Sequence, residues 1–157
     1  MAVELTSPEA LPVRLVIGAI AGFVATLVMD VPMGRLPEGE TSYQVAAGVL
    51  SGEPLDSAPN GLATAVHYAA GTLSGILFVG VTAVAELLLG DAPALLAVVV
   101  AVVVQLPVMI AFFSYVVLVV YGRVPDERVL QVRRDWALSA SVYVAVLVVL
   151  TGPLVLL

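Results

Sequence analysis

Two ionisable residues stand in otherwise apolar stretches of this sequence, and their types are suited to proton or ion chemistry. Asp30 comes near the end of the first apolar stretch, and His67 comes shortly after the start of the second. Ionisable groups within a membrane span are costly to bury, and they commonly belong to ion or proton pathways. An aspartate beside a histidine can hold a proton, orient the imidazole ring or coordinate a cation.

Small residues recur at every fourth position on either side of this pair. The two series are Gly18, Gly22, Thr26 and Asp30, and Ala63, His67, Gly71 and Gly75. Small residues four apart allow membrane helices to approach closely. We therefore predict that Gly18, Gly22, Gly71 and Gly75 pack two helices together. If these faces meet, Asp30 and His67 come into contact near one end of the bundle.

The predicted intramembrane polar site has two further members on the third apolar stretch, which are Gln105 and Tyr115. Gln105 precedes Pro107, a residue that removes a backbone donor and bends a helix. Gln105 therefore either satisfies the carbonyl group that the proline frees or lines a polar path. Asp30 and His67 could also have purely structural roles. Asp30 could lie at the level of the lipid headgroups or cap its helix, and His67 could form a hydrogen bond that joins two helices.

The composition requires a membrane environment for this chain. Of its 157 residues, 61% are hydrophobic and 11% are charged, whereas soluble domains are about 45–50% apolar and about 25% charged. A span needs about 20 apolar residues, and four stretches qualify, at about residues 15–33, 62–89, 93–121 and 137–157. The sequence therefore predicts an all-α, polytopic integral membrane protein, with four transmembrane helices bundled in a single domain.

The two longer loops, at about residues 34–61 and 122–135, contain every arginine except Arg14. The positive-inside rule places them in the cytoplasm and both termini outside. Within the first loop, residues 42–51 are predicted to form a short interfacial helix, capped by Thr41 or Ser42. Each loop also begins with a similar pentapeptide, Gly34–Glu38 and Gly122–Asp126. The similarity of the two pentapeptides fits a two-plus-two repeat, in which the bundle consists of two related helical hairpins. Loop chemistry that the two segments share explains the similarity equally well.

Several classes of function are disfavoured by composition. Cysteine is absent and His67 is the single histidine, so we predict no metal, no cofactor and no catalytic residue. Phosphate-binding loops and nucleophile elbows are also absent. A net charge of −6 argues against nucleic-acid binding, which usually requires a basic face. Acidic loops without lysine are typical of proteins from extreme halophiles.

Two segments resemble a known group of proteins. Gly22-Phe23-Val24-Ala25-Thr26-Leu27-Val28-Met29-Asp30 and His67-Tyr68-Ala69-Ala70-Gly71 are similar to segments of the YagU-like inner-membrane proteins and related uncharacterised prokaryotic families. The resemblance covers about the first half of the chain. It implies that Asp30, His67, Tyr68 and Gly71 are characteristic positions, which adds Tyr68 to the predicted intramembrane polar site. It implies no particular biochemical role.

Two roles in the cell membrane follow from these features. A structural or accessory component would have membrane lipids, another membrane subunit or a second copy as partners, and it predicts helices packed without a cavity. The alternative is a small transporter or proton- or ion-handling protein that uses Asp30 and His67, and it predicts a water-accessible polar cavity. A membrane enzyme would need a cleft open to the cytoplasm, with a third polar group beside the pair.

Overall fold

The computed structural model describes residues 10–121 and 124–153, and of residues 120 and 121 the backbone alone. Its α-helices are α1 (Leu11–Met33), α2 (Thr41–Ser51), α3 (Asn60–Leu89), α4 (Ala94–Ala111) and α5 (Asp126–Thr151). α4 continues as a π-helix over Phe112–Tyr121, called the π segment below. No strand occurs among the described residues.

Four of these helical stretches are long and apolar enough to cross a membrane. They are Leu11–Met33, Asn60–Leu89, Ala94–Val119 and Asp126–Thr151. Large apolar side chains without protein cover lie along them, including Val16, Ile20, Leu77, Val103 and Val149. Such surfaces are stable only in lipid, and the prediction of an all-α, multi-pass membrane protein is confirmed.

α1 packs against α3 and α5, and its contact with α3 is made through glycines. A Cβ atom on Gly22 would stand 2.6 Å from the carbonyl oxygen of Gly71, and one on Gly18 would stand 2.8 Å from that of Gly75. The two backbones therefore touch, as the four-residue spacing predicts. This close approach brings the end of α1 beside the start of α3.

α5 begins at Asp126 rather than at the predicted Ala137. Pro125 precedes the first turn, and Asp126 and Glu127 lie within it, where acidic side chains favour the positive end of the helix dipole. Most of the predicted second loop is therefore helix, since hydropathy locates a span and not the start of its helix. The described part of α5 ends at Thr151, and the predicted end at residue 157 lies outside the described residues.

α2 lies across one end of the bundle and packs against α3, the π segment and α5; we call this end the α2 end. The predicted side-chain cap is wrong, because the helix begins at Thr41 without one. The Thr41 hydroxyl instead donates to Glu38 Oε2 at 2.6 Å. α2 ends at Gly52, whose φ of 75° is a conformation that glycine adopts without strain.

The predicted two-plus-two repeat stays a prediction. Residues 34–38 form the turn between α1 and α2. The matching pentapeptide includes residues 122 and 123, which lie outside the described residues.

Candidate functional site

Asp30 is the centre of a polar group at the α2 end. His67 Nε2 lies 2.7 Å from Asp30 Oδ1, and the Tyr68 hydroxyl donates to Asp30 Oδ2 at 2.5 Å. Consecutive residues of a helix point about 100° apart, so α3 can present two neighbouring side chains to one carboxylate of α1. The contact predicted between Asp30 and His67 is therefore present, and Tyr68 adds a third polar group.

The two members of the pair differ in exposure. The Asp30 side chain is 38% exposed, whereas that of His67 is 7% exposed. A carboxylate oxygen can only accept, so the short contact assigns the Nε2 proton to His67 as donor. The other ring nitrogen, Nδ1, has no hydrogen-bond partner among the described residues.

A polar cavity of about 220 Å³ opens beside Asp30, and we call it the vestibule. Its lining residues are Asp30, Met33, Glu40, Tyr43, Thr64, His67 and Tyr68. Burial, together with the charge of Glu40, raises the pKa of Tyr43 to about 12. The Tyr43 hydroxyl therefore stays protonated near neutral pH and remains a hydrogen-bond donor in the vestibule.

A second cavity, of about 340 Å³, lies on the other side of His67 and Tyr43, which line both spaces. We call it the apolar cavity. The residues that line it come from all five helices and the π segment: Met29, Ser42, Tyr43, Ala46, Val66, His67, Ala70, Gly71, Ser74, Met109, Phe112, Phe113, Val117, Trp136 and Tyr143. No carboxylate, arginine or lysine is among them, so this space disfavours a charged occupant.

Gln105 lies outside both linings. Its amide nitrogen donates to the carbonyl and hydroxyl oxygens of Ser74, both at 2.9 Å, and the residue is 2% exposed. It therefore bridges α4 and α3, and it has neither of the roles predicted for it. The reason is that α3 passes close beside α4 at this depth, so that Ser74 is within reach.

Tyr115 also lies outside the site, on the surface of the bundle. It is 64% exposed, and the guanidinium carbon of Arg133 stands 4.8 Å from its ring centroid. The π segment explains this placement, because its i to i+5 hydrogen bonding adds residues to each turn and changes which side chains face inward. In the π segment Phe113 and Leu118 are buried instead.

Side chains of α5 hold the π segment in place. Trp136 Nε1 donates to the carbonyl oxygen of Met109 at 3.3 Å. Arg133 donates to the carbonyl oxygen of Ser114 through Nε at 3.3 Å and Nη2 at 3.1 Å. These bonds satisfy carbonyl groups around the α-to-π junction and fix one wall of the apolar cavity.

The sequence analysis missed Glu40, Tyr43, Ser74 and Tyr143 as parts of this region. Tyr43 belongs to the stretch predicted as an interfacial helix, residues 42–51, and Glu40 lies just before it in the predicted first loop. Tyr143 is fully buried and donates to the carbonyl oxygen of Gly71 at 2.6 Å. Its only sequence signal was that it is the lone tyrosine in the uncharged stretch of residues 137–157.

A charged cluster ties the loop after α1 to the start of α5. Arg128 donates to both carboxylate oxygens of Glu38, through Nε and Nη2, each at 2.7 Å. The backbone N–H of Glu38 donates to Asp135 Oδ2 at 2.8 Å, and Gln131 donates to Asp135 Oδ1 at 2.7 Å. The cluster fixes the chain that leads into α2, and with it the position of Tyr43.

This cluster predicts a pH dependence of stability. Hydrogen bonds from Arg128, opposed by burial, hold the pKa of Glu38 below its ordinary value of 4.5. A lowered folded-state pKa stabilises the fold above the unfolded value, and this stabilisation is lost as the pH falls through the folded value. Below pH 4.5 the free energy of unfolding should therefore fall more steeply for the wild type than for Glu38→Gln, in chemical denaturation of the detergent-solubilised protein.

Glu127→Gln is the matched control for this prediction, because Glu127 is an exposed acid one residue from Arg128. It should keep the steep slope of the wild type. If Glu38→Gln also kept that slope, the Glu38–Arg128 pair would not stabilise the fold.

Within the described residues, no group of three or more histidine, cysteine, aspartate or glutamate side chains is placed to hold a metal ion. No protein-family model, curated protein or solved structure matches the chain. The resemblance to the YagU-like proteins therefore stays a prediction. Fold and site define an all-α, multi-pass membrane protein with a carboxylate–imidazole–phenol group at one end of its bundle.

Proposed function

We propose that this protein is a small proton-handling transporter of the cell membrane, in which the Asp30–His67 pair takes up and releases the proton. The observation that supports this proposal is the position of His67, whose side chain lines both the polar vestibule and the apolar cavity. A titratable group that borders both a polar and an apolar space can exchange a proton with the first while it contacts the second.

The geometry supplies the steps of proton exchange. Asp30 is exposed enough to exchange protons with water in the vestibule, and its Oδ1 atom lies 2.7 Å from His67 Nε2. A buried charge is stable only with a partner, so a proton that reaches His67 is held by the Asp30 carboxylate. The hydroxyl of Tyr68 fixes that carboxylate in place.

The orientation of the protein in the membrane is part of the same proposal. The α2 end contains Arg35, Arg128, Arg133 and Arg134, whereas Arg14 belongs to the first turns of α1 at the opposite end. The positive-inside rule assigns the α2 end to the cytoplasm. The vestibule would then open to the cytoplasm, with both chain termini on the outer side.

The other predicted roles are supported less well. The accessory role expects helices packed without a cavity, whereas two cavities border His67. An enzyme is the second candidate, because Tyr68 supplies a third polar group beside the pair. An enzyme need not move protons across the membrane, so a transport measurement separates the two.

The test is proton movement in proteoliposomes that contain a trapped pH-sensitive dye, with the membrane potential clamped. We expect the wild type to dissipate an imposed pH gradient at least about tenfold faster than Asp30→Asn or His67→Gln, since each substitution removes a positioned proton acceptor. Tyr115→Phe is the control, because Tyr115 lies on the outer surface, and it should match the wild type. A wild type no faster than protein-free vesicles would contradict the proposal.

A further inference from the structure

The apolar cavity has the composition of a binding site for a small aromatic molecule. Five of its lining residues carry aromatic rings, which are Tyr43, Phe112, Phe113, Trp136 and Tyr143. Met29 and Met109 add flexible thioethers, which pack well against rings. The volume of about 340 Å³ is at the lower end of the range of about 300–1,000 Å³ for small-molecule pockets.

The rim of this cavity lies within the membrane-spanning part of the protein. Ala70 of α3 and Phe112 of the π segment line the cavity and are also exposed on the surface. Ala70 lies roughly 15 Å along α3 from its first residue, at 1.5 Å per residue. The exposed rim residues therefore face lipid, and a molecule that is dissolved in the bilayer can reach the cavity sideways.

His67 brings a hydrogen-bonding ring to the wall of this apolar space, whose lining also includes Ser42, Tyr43 and Ser74. Its Nε2 atom is engaged by Asp30, and its Nδ1 atom has no hydrogen-bond partner among the described residues. A neutral imidazole with its proton on Nε2 is an acceptor at Nδ1. A hydroxyl group on the occupant would satisfy that acceptor, and a charged occupant would have no opposite charge in the lining to pair with.

We propose that the apolar cavity binds a small, neutral, hydroxylated aromatic molecule that enters from the bilayer, with its hydroxyl group donating to His67 Nδ1. This inference rests on the proposed function and names a class of molecule that binds beside the proton-holding pair. The ring packs among the aromatic side chains of the cavity, and His67 connects the hydroxyl of the bound molecule to Asp30 and the vestibule.

β-Naphthol is a suitable probe for this site. Its methyl ether is the matched control ligand, because it has the same ring system but no hydroxyl hydrogen to donate. Trp136 is the only tryptophan of the chain and lines the cavity, so quenching of its emission reports on occupancy at this site. With protein in lipid nanodiscs, and with partitioning into empty nanodiscs subtracted, we expect saturable quenching by β-naphthol. The ether should bind about tenfold more weakly, equivalent to about 1.4 kcal/mol.

Two variants test the position of the molecule. His67→Ala should lower the affinity for β-naphthol to that for the ether, and it should leave the affinity for the ether unchanged. Ala70→Trp places bulk at the rim, on an exposed position that tolerates it, and should weaken both ligands at least about tenfold; because it adds a second tryptophan, binding there is followed by the naphthalene emission. Tyr115→Phe is the control and should bind as the wild type does.

Equal binding of the two ligands to the wild type would overturn the inference, and so would unchanged binding to Ala70→Trp. These outcomes are separate from those of the proton assay. If the protein dissipates the pH gradient but does not bind β-naphthol, only the inference is contradicted. If it binds β-naphthol but does not dissipate the gradient, the proposed function is contradicted and the cavity is a ligand site without it.

Discussion

Arg14→Met is expected to lower the free energy of unfolding by about 3 kcal/mol, because it removes one partner of a largely buried ion pair. Nη1 and Nη2 of Arg14 donate to Oε2 and Oε1 of Glu86, at 2.6 and 2.8 Å. The Arg14 side chain is 4% exposed and that of Glu86 is 20% exposed. The pair joins α1 to α3 at the end opposite α2, so its loss should loosen both helices.

The measurement is reversible unfolding in mixed micelles, with a double-mutant cycle. Arg14→Met combined with Glu86→Gln should be more stable than Arg14→Met alone, since no unpaired carboxylate is then left in the bundle. Arg134→Met is the control, because Arg134 is exposed, and it should change stability little. A cycle without coupling between Arg14 and Glu86 would contradict the importance of this pair.

Gly71→Ala should destabilise the contact between α1 and α3. A Cβ atom at Gly71 would overlap the Thr26 side chain of α1, and the carbonyl oxygen of Gly71 also accepts from Tyr143. Overpacking of this kind costs about 1–3 kcal/mol. We expect that loss in the free energy of unfolding, together with a slower proton flux, because α3 must move away from α1 and carry His67 with it.

Gly80→Ala is the matched control on the same helix. A Cβ atom at Gly80 meets nothing within 4 Å, and alanine favours a helix over glycine by up to about 1 kcal/mol. This variant should be at least as stable as the wild type and should keep its proton flux. Equal losses in the two variants would mean that the glycine contact between α1 and α3 is not what sets stability.

The packing of α1 against α3 could be predicted from the sequence, and the reason is physical. Close approach of membrane helices requires small residues, and a four-residue spacing determines which faces meet. Once Gly22 and Gly71 are in register, Asp30 and His67 lie at the same depth. Tyr68 was predicted from the resemblance alone, and its hydroxyl donates to Asp30 from the position next to His67 on α3.

The apolar cavity and the π segment could not be predicted from the sequence in the same way. In the stretch Phe112–Tyr121 nearly every residue is apolar, so its hydropathy does not distinguish a buried face from a lipid-facing one. The change from α- to π-helical register therefore left no pattern to read. Tyr115 was assigned to the site because it lies toward the same end of the bundle as Asp30 and His67, and the structure places it on the surface.

The start of α5 shows a second limit. Hydropathy identifies the part of a helix that lies in hydrocarbon, and residues 126–136 are too polar to register as a span. Some of their charges are nevertheless satisfied within the protein, as Arg128 is by Glu38 and Arg133 by the carbonyl oxygen of Ser114. Long-range pairs of this kind depend on the folded arrangement, so the sequence alone did not reveal them.

The central claim is that Asp30 and His67 form one proton-holding pair, and nitrogen NMR of the labelled imidazole in lipid bilayers tests it most directly. His67 is the only histidine, so the two ring nitrogens give the only imidazole signals. For neutral imidazole we predict a strongly hydrogen-bonded, protonated Nε2 and an unprotonated Nδ1. Asp30→Asn should shift the Nε2 signal and Tyr115→Phe should not. Identical Nε2 signals in the wild type and Asp30→Asn would show that the two side chains are not coupled, and the account would fail.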